Sequence, residues 1–317
     1  MIAAIAVVLA CTVAAVSVFV VVPNVKRAEK LSQLRRQKAT TISARMYHTV
    51  GLRTDGTVVA TGYNANEQCD VNDWSDIIAV SAGDTHTVGL KSDGTPIVVG
   101  DNGLGQCDVN DWSNIASVCA GSYYTIGLKS DATVVATGNN YFGQCDVNDW
   151  SDIAAISAGH FHTVGLKSNG TIVATGSNAY GQCNIDNWSD IIAISAGYNH
   201  TVGLKSDGTV VATGINPDEQ CNVDDWSDIV AVSAGYDYTI GLKSDGTVVA
   251  TGNNTYEKCN VNDWSDIVAV SAGYRHTVGL KSDGTVVAVG DTTYYQCDVS
   301  DWKDIKQPEP IVIKNTQ

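Results

Sequence analysis

Residues able to do chemistry recur in this chain every 38 positions. His48, His86, His162, His200 and His276 share one register, with Tyr124 and Tyr238 in its two remaining copies. Imidazoles at equivalent positions suggest a metal ring, but Tyr replaces two of them and equivalent sites in separate units stand too far apart to share an ion. The expectation is a buried His or Tyr hydrogen-bonded to the neighbouring unit. A second register holds Cys69, Cys107, Cys145, Cys183, Cys221, Cys259 and Cys297. A disulfide needs Cα atoms within about 7 Å, so cysteines in separate units are expected to stay unpaired. They read as small buried hydrophobes, as does Cys119, which replaces a serine. Unpaired thiols lean mildly towards a reducing compartment.

The segment Asp70-Val-Asn-Asp-Trp-Ser-Asp76 offers oxygens to a hard cation. Its sixth position is Ser75, where a helix-loop-helix calcium loop needs Gly, and no bidentate Glu follows. Asx turns and local capping are therefore the expectation, and no metal and no cofactor are assigned. Ser, His and Asp are plentiful but recur with the unit, which would make seven identical triads. There is no Gly-Lys-Ser/Thr phosphate loop and no Cys-x-x-Cys pair. A non-enzyme is expected.

The elements that position these residues follow from the unit Ile191–Asp228, IIAISAGYNHTVGLKSDGTVVATGINPDEQCNVDDWSD. Trp74, Trp112, Trp150, Trp188, Trp226, Trp264 and Trp302 mark seven copies without insertions, the signature of a solenoid or a propeller. Ile191–Ala196, His200–Lys205 and Val210-Val211-Ala212 are short β-branched or alternating runs, which predicts strands. Asp207-Gly208 separates the second and third runs and predicts a two-residue type I′ hairpin with φ > 0 at both positions. Asp131-Ala132 breaks that pattern, and strain is expected at the alanine. A fourth strand is predicted around Gln220–Val223. The fold class is then all-β: a seven-bladed β-propeller of four-stranded repeats, without helical segments in the repeats. A β-solenoid is the alternative. The repeated Trp is expected to wedge between blades.

The domain reading is a transmembrane anchor at 1–23, a basic juxtamembrane helix or linker at 24–39, and the propeller at 40–317. Met1–Val22 has no charged residue, and about 20 apolar residues suffice to span a bilayer. A cleaved signal peptide is the competing reading, opposed by the missing basic start and cleavage site. Lys26, Arg27, Lys30, Arg35, Arg36 and Lys38 then favour a single-pass protein with the propeller on the cytoplasmic side; an extracellular propeller is the alternative. The net charge is −15. Residues 1–40 hold six basic and one acidic side chain, which leaves −20 on the remainder. So negative a domain is a poor holder of nucleic acid. A monomer binding neutral or basic surfaces is expected. Arg45 stands where later units have Gly, Ile311–Lys314 is a candidate extra strand, and the ring is expected to close where Thr40–Ala44 meets the last unit.

With Ala196-Gly197, His200-Thr201, Leu204, Asp207-Gly208, Gly214 and Asn178-Ala-Tyr-Gly-Gln182 in register, residues 40–305 resemble the regulator of chromosome condensation repeat family. The resemblance implies a seven-bladed propeller. The short repeat is more similar to bacterial members, including a secreted propeller that inhibits β-lactamases, than to the longer-bladed eukaryotic nucleotide-exchange factor. Two features depart from the family pattern: Cys after Gly-Gln, where Leu is frequent, and the Asn-Asp-Trp-Ser-Asp segment.

Positions that differ between units are free to contact something asymmetric. With strands running alternately up and down, the loops after the first and third strands share one face, and those loops hold the variation. The first loops carry Tyr47, Tyr123, His160, Phe161, Tyr198, Tyr236, Asp237, Tyr274 and Arg275. The third-strand loops add Tyr63, Tyr141, Phe142, Tyr180, Tyr256, Tyr294 and Tyr295. Tyr gives rigid contact area with a polar tip, so a protein partner binding here is expected. Rings that plug the central channel are the structural alternative. Two further functional readings are a nucleotide-exchange regulator of a small GTPase, implied by the resemblance, and an enzyme at the channel mouth using His160 and Asp237.

Overall fold

The computed structural model describes residues 40–308. The anchor predicted at 1–23, the basic segment at 24–39 and the strand at Ile311–Lys314 lie outside the described residues. Among the described residues no helix is long and apolar enough to cross a membrane.

Seven antiparallel three-stranded sheets follow one another. The middle strands are His48–Leu52, His86–Lys91, Tyr124–Lys129, His162–Lys167, His200–Lys205, Tyr238–Lys243 and His276–Lys281, in blades 1 to 7. In blade 2 the inner strand is Ile77–Ala82 and the outer Pro96–Gly100. The middle strands are buried along nearly their whole length instead of alternating, because a neighbouring blade covers each of their two faces.

Three sequence expectations are corrected. The fourth strand is absent: in Asn216–Val223 the backbone donors are spent on turns, with Asn222 N–H on the Glu219 carbonyl and Val223 N–H on that of Cys221. The Gln220 side chain accepts from Asp218 N–H at 3.1 Å, so nothing remains for a ladder. The hairpin turn is also not type I′, for only its glycine has φ > 0, as at Gly56 (82°). Arg53 pairs with Thr57 while Gly56 N–H reaches the Arg53 carbonyl, a three-residue loop closed by a left-handed bulge. Asp55 Oδ1 accepts from Thr57 N–H and Oγ1. Ala132 does adopt φ 68°. Lastly, one 3₁₀ turn occurs, at Thr255–Glu257.

The ring closes. Ala44 N–H donates to Ser271 Oγ at 2.9 Å, as Ala82 N–H does to Ser43. Blade 1 is completed from both ends of the repeat region. Its inner strand proper is only Ile42–Arg45, and Ile305 bridges Arg53 at the register that Ile77 occupies against Lys91. Trp302 then packs on Gly51 as Trp74 does on Gly89, where a Cβ would stand 2.6 Å from the indole. The Trp is thus the inter-blade wedge, and only Gly permits it. This closure excludes the solenoid.

Candidate functional site: an aromatic edge over the channel mouth

The histidine register is architectural. Thr87 Oγ1 gives its proton to the Gln68 carbonyl at 2.7 Å, so His48 Nε2 donates to Thr87 across the blade boundary at 2.9 Å. The ring is then the neutral Nε2–H tautomer, with Nδ1 lacking a partner. Burial lowers these imidazoles to about 3 at His48 and His162 and about 4 at His86, His200 and His276. Tyr124 and Tyr238 fill the same place, donating to the His162 and His276 carbonyls at 2.7 and 2.6 Å.

The register cysteines are half-buried and unpaired. Each thiol reaches a carbonyl six residues back, as Cys107 does to Asp101 at 3.2 Å. Burial pushes them up, to about 12 at Cys107 and about 11 at Cys183, so they are poor nucleophiles. In the Asp-rich loop, Asn64 Oδ1 accepts from Cys69 N–H at 2.7 Å and its amide donates to Asp70 at 2.8 Å. Among the described residues no three His, Cys, Asp or Glu side chains are grouped to hold a metal.

The loops after the inner and outer strands meet on one edge. Phe161 lies 4.8 Å from Phe142, and Tyr47 lies 5.1 Å from Tyr294. Tyr141, Phe142, Phe161, His160, Tyr198, Tyr236, Tyr274 and Tyr47 form one continuous chain of ring contacts, with centroid separations of 3.8 to 5.7 Å. Tyr123 joins at His160, 6.3 Å away. Tyr63 packs on Tyr294 and Tyr47. Tyr256 is linked through the Arg275 guanidinium, 4.7 Å from its ring and 4.8 Å from that of Tyr274. Tyr180 and Tyr295 stand apart from these ring contacts. The Asp-Gly turns occupy the opposite edge, against Asp76-Ile77 and its equivalents.

The inner rings and the outer rings differ in role. Tyr198, Tyr236 and Tyr274 are half-buried and line the channel mouth with Arg45, Asp84 and His160. There Arg45 crosses the axis: its Nε lies 3.1 Å from Asp84 Oδ1, and its Nη1 donates to the Ala158 carbonyl of blade 4 at 3.3 Å. Burial would raise Asp84, but the hydrogen bond from His160 and the Arg45 charge outweigh it and hold the carboxyl well below the usual range. Ser122 Oγ and Asp84 Oδ2 both contact His160 at Nδ1. Because the two contacts fall on one nitrogen, the ring cannot relay a proton between them as a catalytic triad does. Asp237, the other odd polar residue, is paired with Lys258 in blade 6, so it shares no site with His160. Tyr198, Tyr236 and Tyr274 pack on one another at this mouth, with centroid separations of 3.8 and 4.3 Å.

The outer rings face solvent. Among the described residues the exposed large hydrophobics are Leu104, Tyr141, Phe142, Tyr180, Tyr256, Tyr294 and Tyr295, with Tyr141 84% and Tyr295 71% accessible. All seven lie in the loops that follow outer strands. Leu104, half exposed, is absent from the sequence-based set. Its register with Phe142, Tyr180, Tyr256 and Tyr294 is the signal that marks it, although its side chain is aliphatic where theirs are aromatic. Asp84, Ser122 and Lys258 were also missed: Asp84 and Ser122 share the variable register of His160, Tyr198, Tyr236 and Tyr274 but are not aromatic, and Lys258 is a single departure from a register that is otherwise Gln. Lys258 replaces a Gln, is buried, and holds Asp237 while lying 4.9 Å over the Tyr238 ring. Burial first, and then Asp218, raise Asp237 despite that lysine.

The repeat that builds this edge is diagnostic. The model of the regulator of chromosome condensation (RCC1) repeat matches residues 77–106, 115–144, 153–182, 191–220, 229–257 and 267–296, more than half of the chain. The chain belongs to the RCC1 repeat family. Each matched segment runs from an inner strand into the loop after the outer strand; blade 1, with Arg45 at a position that is glycine in blades 2 to 7, is not matched. Among solved structures, the CRINKLY WD40 ectodomain of the Arabidopsis thaliana receptor kinase ACR4 is similar, with a TM-score of 0.65 and 20% identity over 80% of this chain and 97% of that one. Prp20p from Saccharomyces cerevisiae, characterised together with its binding to Gsp1p and histones, gives a TM-score of 0.63 and 16% identity over 92% and 90%. The ectodomain of the Physcomitrella patens receptor kinase CR4 gives 0.66 and 19% over 80% and 74%. At these identities the likeness is one of fold. No curated protein matches the chain.

Proposed function

We propose that this RCC1-repeat protein is a non-enzymatic propeller that binds a protein partner on its aromatic edge and is held at a membrane by residues 1–23. The observation that carries the reading is that every exposed large hydrophobic among the described residues lies on that one edge. A monomeric soluble surface rarely gathers its large apolar side chains on one side without a partner. Prp20p, of the same family, is characterised for binding other proteins, which supports the class of activity without naming the partner. The uncharged Met1–Val22 run and the basic residues after it support the anchor and favour a cytoplasmic propeller.

The test compares two variants of the full chain in membranes. Tyr141→Ser with Tyr295→Ser removes the two most accessible rings of the edge; Lys129→Ser with Lys205→Ser alters the opposite edge. A protein recovered with the parent and the lysine variant but lost from the tyrosine variant supports the reading. Recovery that is equal for both overturns it. A narrower reading favoured by family membership is nucleotide exchange on a small GTPase; absence of accelerated nucleotide release from a recovered GTPase would retire it.

A further inference from the structure

The aromatic edge is also segregated by charge. Its cations among the described residues are Arg45, Lys258 and Arg275, and each is tied to a carboxylate: Asp84, Asp237 and Asp291. The uncommitted cations, such as Lys91, Lys129 and Lys167, close middle strands beside the Asp-Gly turns on the other edge. Carboxylates remain on the aromatic edge without a cation among the described residues, Glu67, Asp108 and Asp146 being three of them. Asp108 and Asp146 receive only neutral amide donors, from Asn102 at 2.9 Å and Asn140 at 2.8 Å.

The exposed apolar groups divide into two sectors. In blades 6, 7 and 1 Tyr256 and Tyr294 are occupied within the molecule, Tyr256 under Arg275 and Tyr294 between Tyr47 and Tyr63, and Tyr295 is the accessible ring there. In blades 2, 3 and 4, Leu104, Phe142 and Tyr180 hold the same register and project at successive steps of the ring. Their spacing is fixed from below: the next carbonyls, of Gly105, Gly143 and Gly181, accept from Thr137, Thr175 and Thr213 of the following blade at 2.9 to 3.1 Å. Asp108 and Asp146 lie between these apolar steps in sequence.

We infer that the arc over blades 2 to 4 receives an extended cationic segment of a partner protein, in which apolar side chains alternate with Lys or Arg. This deepens the protein-binding reading and rests on it. Apolar side chains of the segment lie against Leu104, Phe142 and Tyr180. Its cations meet Asp108 and Asp146 and the faces of the tyrosines. Such a complex is weakened by salt, and an acidic segment is repelled by the uncompensated carboxylates.

The experiment measures fluorescence anisotropy of a short labelled peptide repeating Arg-Leu-Ser, titrated with the full chain in detergent, against one repeating Glu-Leu-Ser. The Arg peptide is expected to bind and the Glu peptide not. Leu104→Ser with Tyr180→Ser is expected to weaken binding about tenfold, the scale of losing two anchors. Asp108→Asn with Asp146→Asn is expected to weaken it about threefold to tenfold. That change keeps the fold, because Asn184, Asn222 and Asn260 occupy the same register, and an unchanged unfolding temperature verifies it. Preference for the Glu peptide overturns the inference while leaving edge binding intact. Loss on Tyr256→Ser with Tyr294→Ser, and not on Leu104→Ser with Tyr180→Ser, overturns the sector. Tight binding that appears only after residues 24–39 are removed assigns the arc to this chain's own basic segment and overturns the partner.

Discussion

His276, in the last blade, donates its Nε2 proton to Thr49 of the first at 2.9 Å, the bond that His48 makes to Thr87 and His86 to Thr125 at the same length. The junction between the ends of the repeat region is thus built like an internal one. Thr49 also donates to the Gln296 carbonyl at 2.7 Å, as Thr87 does to Gln68. A seam made of the common parts should bear load like the others.

Thr49→Val removes that hydroxyl at the seam, and Thr201→Val does so between blades 4 and 5. Each leaves a buried imidazole N–H and a carbonyl unpaired, at a cost of about 1–3 kcal/mol. The two variants are expected to lower the denaturant midpoint equally. A much smaller loss for Thr49→Val would mean that the ring is open in solution.

Acid should unfold the ring above the usual carboxylate range. Five imidazoles are lowered from 6.5 to about 3 or 4 by burial. Below 6.5 the unfolded chain takes up protons that the folded chain refuses, so stability is complete above that pH and falls towards pH 4. At 1.36 kcal/mol per pH unit, each histidine withdraws about 2 kcal/mol by pH 5. His200→Tyr, matching Tyr124 and Tyr238, is expected to flatten the slope of unfolding temperature against pH by about a fifth. An unfolding temperature that does not move between pH 7 and 5 would contradict this.

Ala132 occupies a position that is Gly in the other six hairpins and carries φ 68°. A left-handed backbone costs an L-residue about 1–2 kcal/mol relative to Gly. Ala132→Gly is expected to stabilise the protein by about 1 kcal/mol, seen as a raised denaturant midpoint.

Arg45→Gly restores the residue found at this register in blades 2 to 7, but strands Asp84 in the channel mouth. Loss of one partner from a buried pair costs about 3–5 kcal/mol. Adding Asp84→Ser, the residue that Ser122 supplies in blade 3, is expected to recover most of it. Purely additive effects in that double-mutant cycle would show that the pair is not coupled.

Much of this was legible from periodicity. Seven Trp and seven Cys in one spacing fixed the number of units, and uniform positions such as Gly89 and Thr87 were separable as packing. The missed fourth strand is a local failure: Gln220–Val223 has strand-like composition, but its side chains satisfy the backbone as turns. The hairpin failed similarly, since Asp-Gly serves a three-residue bulged loop as well as a two-residue turn.

The amino-acid order alone determined the repeat and its strand-forming runs, because each reports a contact that every blade makes with the next, and the face on which variation gathers, because the positions that escape those shared contacts fall in two loops of each unit. Only the tertiary structure decided that Arg45 reaches Ala158, 113 residues away, that Tyr47 packs on Tyr274 and Tyr294, and that the inner rings are half-buried at the channel mouth while the outer ones face solvent. A repeat signal is identical in every unit, so it holds no information about contacts across the axis, where single departures from the repeat meet.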